Sequence, residues 1–155
     1  MIKYNNILIP RRIDDRAERY KRIIYQQIQQ YIKNGSKGYL GLNYATIDSL
    51  PDNLIKADDF YATFSKIKSL NNLESVNVNI HLGHSEIKSL GKLKSVQGWI
   101  DLRDTTIEDL GNLKFVGGAL FIFNTPLALK YTKDEIRSMV DIKGTIFTTY
   151  KYPLP

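Results

Sequence analysis

Apolar residues in the middle of the chain return at the same points of a cycle about twenty residues long. The clearest copies start at Val76, Val96 and Val116. Leu40, Phe60, Ile80, Ile100 and Leu120 form one column, and Leu42, Ala62, Leu82, Leu102 and Ile122 the next. Ile47, Ile67, Ile87, Ile107 and Leu127 form a third, with Leu50, Leu70, Leu90 and Leu110, then Leu54, Leu73, Leu93 and Leu113, behind it. Ile100 and Leu102, two apart, share a strand face. Leu110 and Leu113, three apart, predict a tight helical return. No single coil buries such residues, but stacked coils bury them like on like, which is the logic of a solenoid. The spacing slips once, with a residue gained after Leu50 and one lost between Ile55 and Asp59.

The flanks read as caps. Ile2, Tyr4, Ile7 and Ile9 predict a short β segment ended by Pro10. Ala17, Tyr20, Ile24, Ile28 and Tyr31, widened by Ile23 and Ile32, make one apolar helical stripe from about Asp15 to Lys33. Asp14 or Asp15 is the expected N-cap, and Asn34-Gly35 the stop. Downstream, Thr132-Lys133-Asp134-Glu135 is a capping box opening a helix to about Met139, with Ile136 and Val140 inward. Gly144–Thr148 predicts a last strand, and Pro153 and Pro155 prevent the sheet from continuing. The expected fold is an α/β solenoid with a parallel sheet of about five to six short strands. Residues 1–37 form an N-terminal helical cap, 38–127 the coils and 128–155 a helix-strand cap, in one compact domain.

The pattern resembles leucine-rich repeats. Ile100-x-Leu102-x-x-Thr105-x-Ile107 fits the centre of their strand motif, and Ala45-Thr46-Ile47-Asp48-Ser49-Leu50-Pro51 is similar to the segment of the short bacterial type. Val116-Gly117-Gly118 resembles related bacterial and phage repeats. The likeness covers about residues 38–127 and implies an interaction scaffold of bacterial or phage origin. Where that family carries an asparagine ladder, this chain has Ala45, Ser65, Ser85, Thr105 and Thr125, whose hydroxyls are expected to bond neighbouring backbone less richly.

Charge changes the picture at one end only. Residues 1–38 hold nine Lys or Arg against three Asp or Glu, and the rest of the chain holds thirteen of each. Arg11, Arg12, Arg16, Arg19, Lys21 and Arg22 make a basic patch on the helix, with Asp15–Arg19 and Glu18–Arg22 as expected internal pairs. Such a patch suits nucleic acid or an acidic partner. The chain has no cysteine, which excludes disulfides, thiolate metal sites and a cysteine nucleophile such as the one in ligase domains of some bacterial relatives. No leader pattern or membrane-length apolar run is seen, so the expected location is cytoplasmic, in a bacterial cell or an infected host.

Catalytic chemistry finds no anchor. His81 and His84, the only histidines, are spaced H-x-x-H without cysteine or carboxylate partners, so a surface role is the stronger reading. Asp101 and Arg103 are expected to form an exposed pair, and the paired glycines lack phosphate-loop spacing. No cofactor and no metal are expected. Alternation turns Tyr39, Tyr61, His81, Trp99, Asp101, Arg103, Phe121, Phe123 and Phe147 away from the core. Of these Tyr61, Trp99, Asp101, Arg103, Phe121 and Phe123 form the expected contact surface for a protein partner, or for self-association, because monomers seldom expose large apolar patches. The alternative is that a terminal element carrying Tyr150 and Tyr152 covers them. The function expected from this surface is a non-enzymatic interaction module; the basic helix and a structural assembly role are the other readings.

Overall fold

The computed structural model describes the backbone of residues 2–4, 7–9 and 14–149, and side chains from Arg16 to Thr149. Strands β1 (Ile2–Tyr4) and β2 (Ile7–Ile9) pair antiparallel, a hairpin where the sequence suggested one strand. Helix α1 (Asp14–Lys33) follows. It begins at Asp14, which places both aspartates in the first turn, the end at which the helix dipole favours negative charge. Its end is a Schellman motif: Ser36 N–H donates to Tyr31 O at 3.0 Å and Gly35 N–H to Ile32 O at 2.9 Å. Gly35 supplies the required positive φ of 85°.

The coils then stack as a solenoid. One parallel sheet contains β3 (Tyr39–Gly41), β5 (Asp59–Tyr61), β7 (Ile80–His81), β9 (Ile100–Asp101), β11 (Leu120–Phe121) and β13 (Ile146–Phe147). The register pairs Leu40, Phe60, Ile80, Ile100, Leu120 and Ile146 in one row, all buried, which is the aliphatic ladder expected from the spacing. The slip also falls where expected. Leu40 pairs with Phe60 twenty residues on, while Ala57 pairs with Val76, nineteen on.

A second parallel sheet was not anticipated. It contains β4 (Lys56–Ala57), β6 (Ser75–Val76), β8 (Ser95–Val96), β10 (Phe115–Val116) and β12 (Asp141–Ile142). Each strand buries one residue, so no alternation announces it. Backbone stacks on backbone where the chain bends between the sheets: Gly98 N–H donates to Val78 O at 2.6 Å, Gly118 N–H to Gly98 O at 2.7 Å and Gly144 N–H to Gly118 O at 3.0 Å. A Cβ on Gly98 would run into Val78 O, so this approach requires glycine.

The return is not helical in the first four coils. Leu73, Leu93 and Leu113 N–H groups each close a single turn on the carbonyl three residues earlier, at 3.0 to 3.1 Å. Only the last coil is helical here, with α2 (Pro126–Lys130) and α3 (Lys133–Met139). They hold the extra six residues that separate Phe121 from its partner Phe147. The Thr132–Glu135 capping box is formed as read from the sequence, and Ile136 and Val140 are buried. Glu135 is held below its usual pKa by hydrogen bonds from the Thr132 backbone and hydroxyl. Arg137 of α3 caps the open edge of the second sheet, its guanidinium donating to Gly144 O at 2.8 Å and to Ile142 O. Pro153 and Pro155, expected to stop the first sheet, lie outside the described residues.

At the other end α1 buries Ile24, Ile28 and Tyr31 on the first coil. Tyr31 ties the junction: its hydroxyl donates to Ser36 O at 2.9 Å and accepts from Asp58 N–H at 2.8 Å. Burial and the nearby Asp58 and Asp59 carboxylates raise its pKa, although the Asp58 backbone bond works the other way. Gln27 donates to Gly41 O at 3.0 Å, covering a carbonyl on the edge strand. The stripe differs from expectation at Ala17, Tyr20 and Ile23, which are exposed, the last two at 51% and 50%. The first turns of the helix overhang the coil instead of packing on it. Among the described residues no helix is long and apolar enough to cross a membrane.

Candidate functional site

Outward side chains of the first sheet form rows across the coils. Neighbouring parallel strands lie about 4.8 Å apart, close to the separation of stacked rings. Gly41, Tyr61, His81, Asp101, Phe121 and Phe147 occupy the central row. Tyr39 leans over Gly41, where a Cβ would collide with its ring, and meets Tyr61 at 4.8 Å between centroids. Tyr61 stacks on His81 at 3.7 Å, and Phe121 on Phe147 at 4.7 Å. At the fourth coil the row holds Asp101, and Trp99 bridges the gap edge-on, 4.0 Å from His81 and 5.8 Å from Phe121. The six rings form one continuous ladder.

Two expectations about this face are corrected. Asp101 is not an exposed carboxylate, since its side chain is 4% accessible. Arg103 folds back on it, with Nε at 3.0 and 2.8 Å from the two carboxylate oxygens and a terminal nitrogen at 2.7 Å. Gly83 in the turn of the preceding coil leaves room for the pair. Phe123 is buried as well, at 8%, with the Arg103 guanidinium 5.8 Å from its ring centre. Alternation turned both residues away from the aliphatic core, but Arg103 and the rows around them close them off from water. Tyr61, Trp99, Phe121 and Phe147 are half-buried, and Arg103 keeps 46% of its side chain accessible. The suggested cover by Tyr150 and Tyr152 lies outside the described residues.

His81 sits inside the ladder with Nε2 buried and without a hydrogen-bond partner. Desolvation lowers its pKa, and Arg103 adds to this against the opposing pull of Asp101 and Asp59. Burial, and then Asp59, raise the Tyr61 pKa. His84 belongs to a different row, so the H-x-x-H pair is split between a strand and a turn. Among the described residues no group of three or more metal-ligating side chains is gathered.

The turn after each of these strands carries a second row that the sequence reading overlooked: Tyr44, Phe64, His84, Asp104 and Asn124, all with φ between 54° and 60°. Tyr44 stacks on Phe64 at 5.4 Å and Phe64 on His84 at 4.3 Å, both nearly parallel. His84 Nε2 lies 3.4 Å from Asp104, which also accepts from Asn124 Nδ2 at 2.6 Å. Left-handed backbone suits Asn and Asp, and is rare for large aromatics. Tyr44 is 67% exposed and Phe64 49%. Writing out this column at the twenty-residue spacing would have revealed it.

Beneath the turn, Ala45, Ser65, Ser85, Thr105 and Thr125 are buried. Thr105 and Thr125 hydroxyls donate to the carbonyl three residues back, at 2.7 and 2.6 Å, while the Ser65 and Ser85 hydroxyls find no partner.

Of the basic patch, Arg11 and Arg12 lie outside the described residues. Arg16, Arg19 and Arg22 are exposed, and Lys21 pairs with Glu18 at 3.5 Å in place of the expected Arg22. The Asp15 side chain, expected to pair with Arg19, is also outside the described set.

The fold defines this chain as an α/β solenoid repeat protein with coils of about twenty residues. No protein-family profile, curated protein or solved structure matches it.

Proposed function

We propose that the protein is a non-enzymatic binding module whose contact surface is the aromatic side of the solenoid. That surface joins the strand ladder, with Tyr61, Trp99, Arg103 and Phe121, to the exposed turn row beginning at Tyr44 and Phe64. Asp101 and Phe123 serve it from beneath, one holding Arg103 and the other backing its guanidinium. The observation that carries the reading is the choice of Tyr44 and Phe64 at left-handed positions that Asp104 and Asn124 fill in later coils. Strain of this kind amounts to about 1–3 kcal/mol per residue. The two stacks, Tyr44–Phe64 and Phe64–His84, return only about 0.5–1.5 kcal/mol each. Two large rings are thus kept in water for little or no net stability, which is the signature of a contact surface. A stacked ladder is also preorganised, so docking orders few side chains.

The likeness to short bacterial and phage leucine-rich repeats extends this proposal: the partner is a protein met inside a bacterial cell, in the cytoplasm. Affinity capture from a bacterial lysate, followed by mass spectrometry, tests it. A Tyr44→Asn/Phe64→Asn variant, folded and carrying residues suited to the turn, loses the captured partner. Undiminished capture refutes the surface. Self-association through the same face is the assembly reading, and light scattering at high concentration separates the two.

Binding of an acidic partner or nucleic acid at the basic helix is the second reading. Among the described residues Arg16, Arg19 and Arg22 form no ion pair, which favours it.

A further inference from the structure

The overhanging start of α1 leaves a groove against the first two coils. It encloses about 760 Å³ between Arg16, Ala17, Arg19, Tyr20, Lys21 and Ile23 of the helix and Thr46, Asp48 and Lys66 of the coils. Small-molecule sites commonly occupy about 300–1,000 Å³, so the groove is large enough to seat several side chains of a ligand.

Its charges do not cancel. Lys21 is offset by Glu18 at 3.5 Å, and Asp48 is taken by Lys68 at 3.5 Å. Among the described residues that leaves Arg16, Arg19 and Lys66 as a cationic rim without ion pairs. The apolar wall is Tyr20 and Ile23, each about half exposed on a helix whose next turns bury Ile24 and Ile28. Thr46 adds an independent observation: its hydroxyl is buried at the groove and has no hydrogen-bond partner. An orphaned buried hydroxyl is destabilising until something bonds to it.

We infer that this groove docks an acidic amphipathic peptide segment of a partner protein, with apolar side chains against Tyr20 and Ile23, carboxylates on Arg16, Arg19 and Lys66, and a polar group on the Thr46 hydroxyl. The rim selects the sign of the ligand and the wall selects its apolar face. A nucleic acid fits less well, because phosphates gain nothing from Ile23 and Ala17. The inference rests on the basic-helix reading and not on the aromatic surface, since no residue lining the groove belongs to the aromatic rows.

The test is fluorescence anisotropy on the full-length chain with a labelled helical peptide of about 16 residues, Leu at positions i, i+3, i+4 and i+7 and Glu elsewhere. A scrambled peptide of the same composition and a short oligothymidylate are run beside it. The amphipathic peptide binds about tenfold more tightly than its scramble. Arg16→Glu/Arg19→Glu/Lys66→Glu weakens it by about tenfold or more, and Ile23→Ser by about fivefold. Thr46→Val lowers affinity while leaving the free protein as stable as before or more so, which a purely structural hydroxyl would not do. A change at the far end of the solenoid, Leu129→Ser at a 92% exposed position, leaves the peptide affinity unaltered. Equal binding of the scramble, or tighter binding of the oligothymidylate, overturns the proposal. Nuclear Overhauser contacts from Ile2–Ile9 to Tyr20 or Ile23 in the free protein overturn it too, by showing that the chain fills its own groove.

Discussion

Two ladders of rings run along the same side of this molecule, and they differ in kind. The strand ladder stacks on a relaxed sheet, and most of its rings shield one another from water. The turn ladder stacks on strained left-handed backbone, with its first two rings largely exposed. Both arise from the same repeat, so spacing alone does not tell framework from contact surface. The difference lies in the backbone beneath each ring. Where a ring rests on easy geometry and is half covered, packing explains part of its presence and contact the rest; where it rests on strained geometry in water, packing does not explain it.

The largest effect that separates the ladders is expected at Trp99, which alone bridges the break at Asp101. Trp99 is half-buried, so Trp99→Ala should cost about 2–3 kcal/mol, below the ~3–5 kcal/mol for truncating a fully buried aromatic. A urea titration checks this, and a loss below about 1 kcal/mol would put the strand ladder on the same footing as the turn ladder. Next comes the buried carboxylate. Removing one partner of a fully buried pair costs about 3–5 kcal/mol. Arg103 is half exposed, so Arg103→Ala should cost less, about 2 kcal/mol by the same reasoning. Arg103→Ala/Asp101→Asn should recover part of that loss, because the uncompensated charge is gone.

A smaller effect is expected from pH at His81. Its pKa is lowered on folding, so the unfolded chain binds the proton more readily. The stability it contributes is complete above the unfolded value of about 6.5 and is lost as pH falls through the depressed folded value. His81→Phe keeps a ring in the stack and should remove that part of the acid-side slope. An unchanged slope, measured by urea midpoints from neutral to mildly acidic pH, would mean that His81 is as solvated as an open turn residue.

Much of the framework was legible because it depends on one repeated choice. The row from Leu40 to Leu120, the slip after Leu50, the Thr132–Glu135 box and the Asn34-Gly35 stop are all local signals that the stacked coils reinforce. The second sheet was not legible, since strands such as Ser95–Val96 contribute one inward residue each and show no alternation. Asp101 and Phe123 were misplaced because alternation sorts residues by strand face, while their burial comes from Arg103 and neighbouring coils. Tyr20 and Ile23 were assigned to the cap core by helical spacing, which does not report where the first coil ends beneath the helix. The Tyr44 row was not legible in the apolar pattern because Tyr44, Phe64, His84, Asp104 and Asn124 share neither size nor polarity, only a left-handed backbone.

The claim that the turn row is kept for contact and not for folding is tested most directly by the unfolding free energy of Tyr44→Asn/Phe64→Asn. The account predicts a value equal to that of the parent or higher by up to about 1 kcal/mol, as relief of strain offsets the lost stacking. A fall of about 2 kcal/mol or more would show that the exposed rings hold the fold together, and would contradict it.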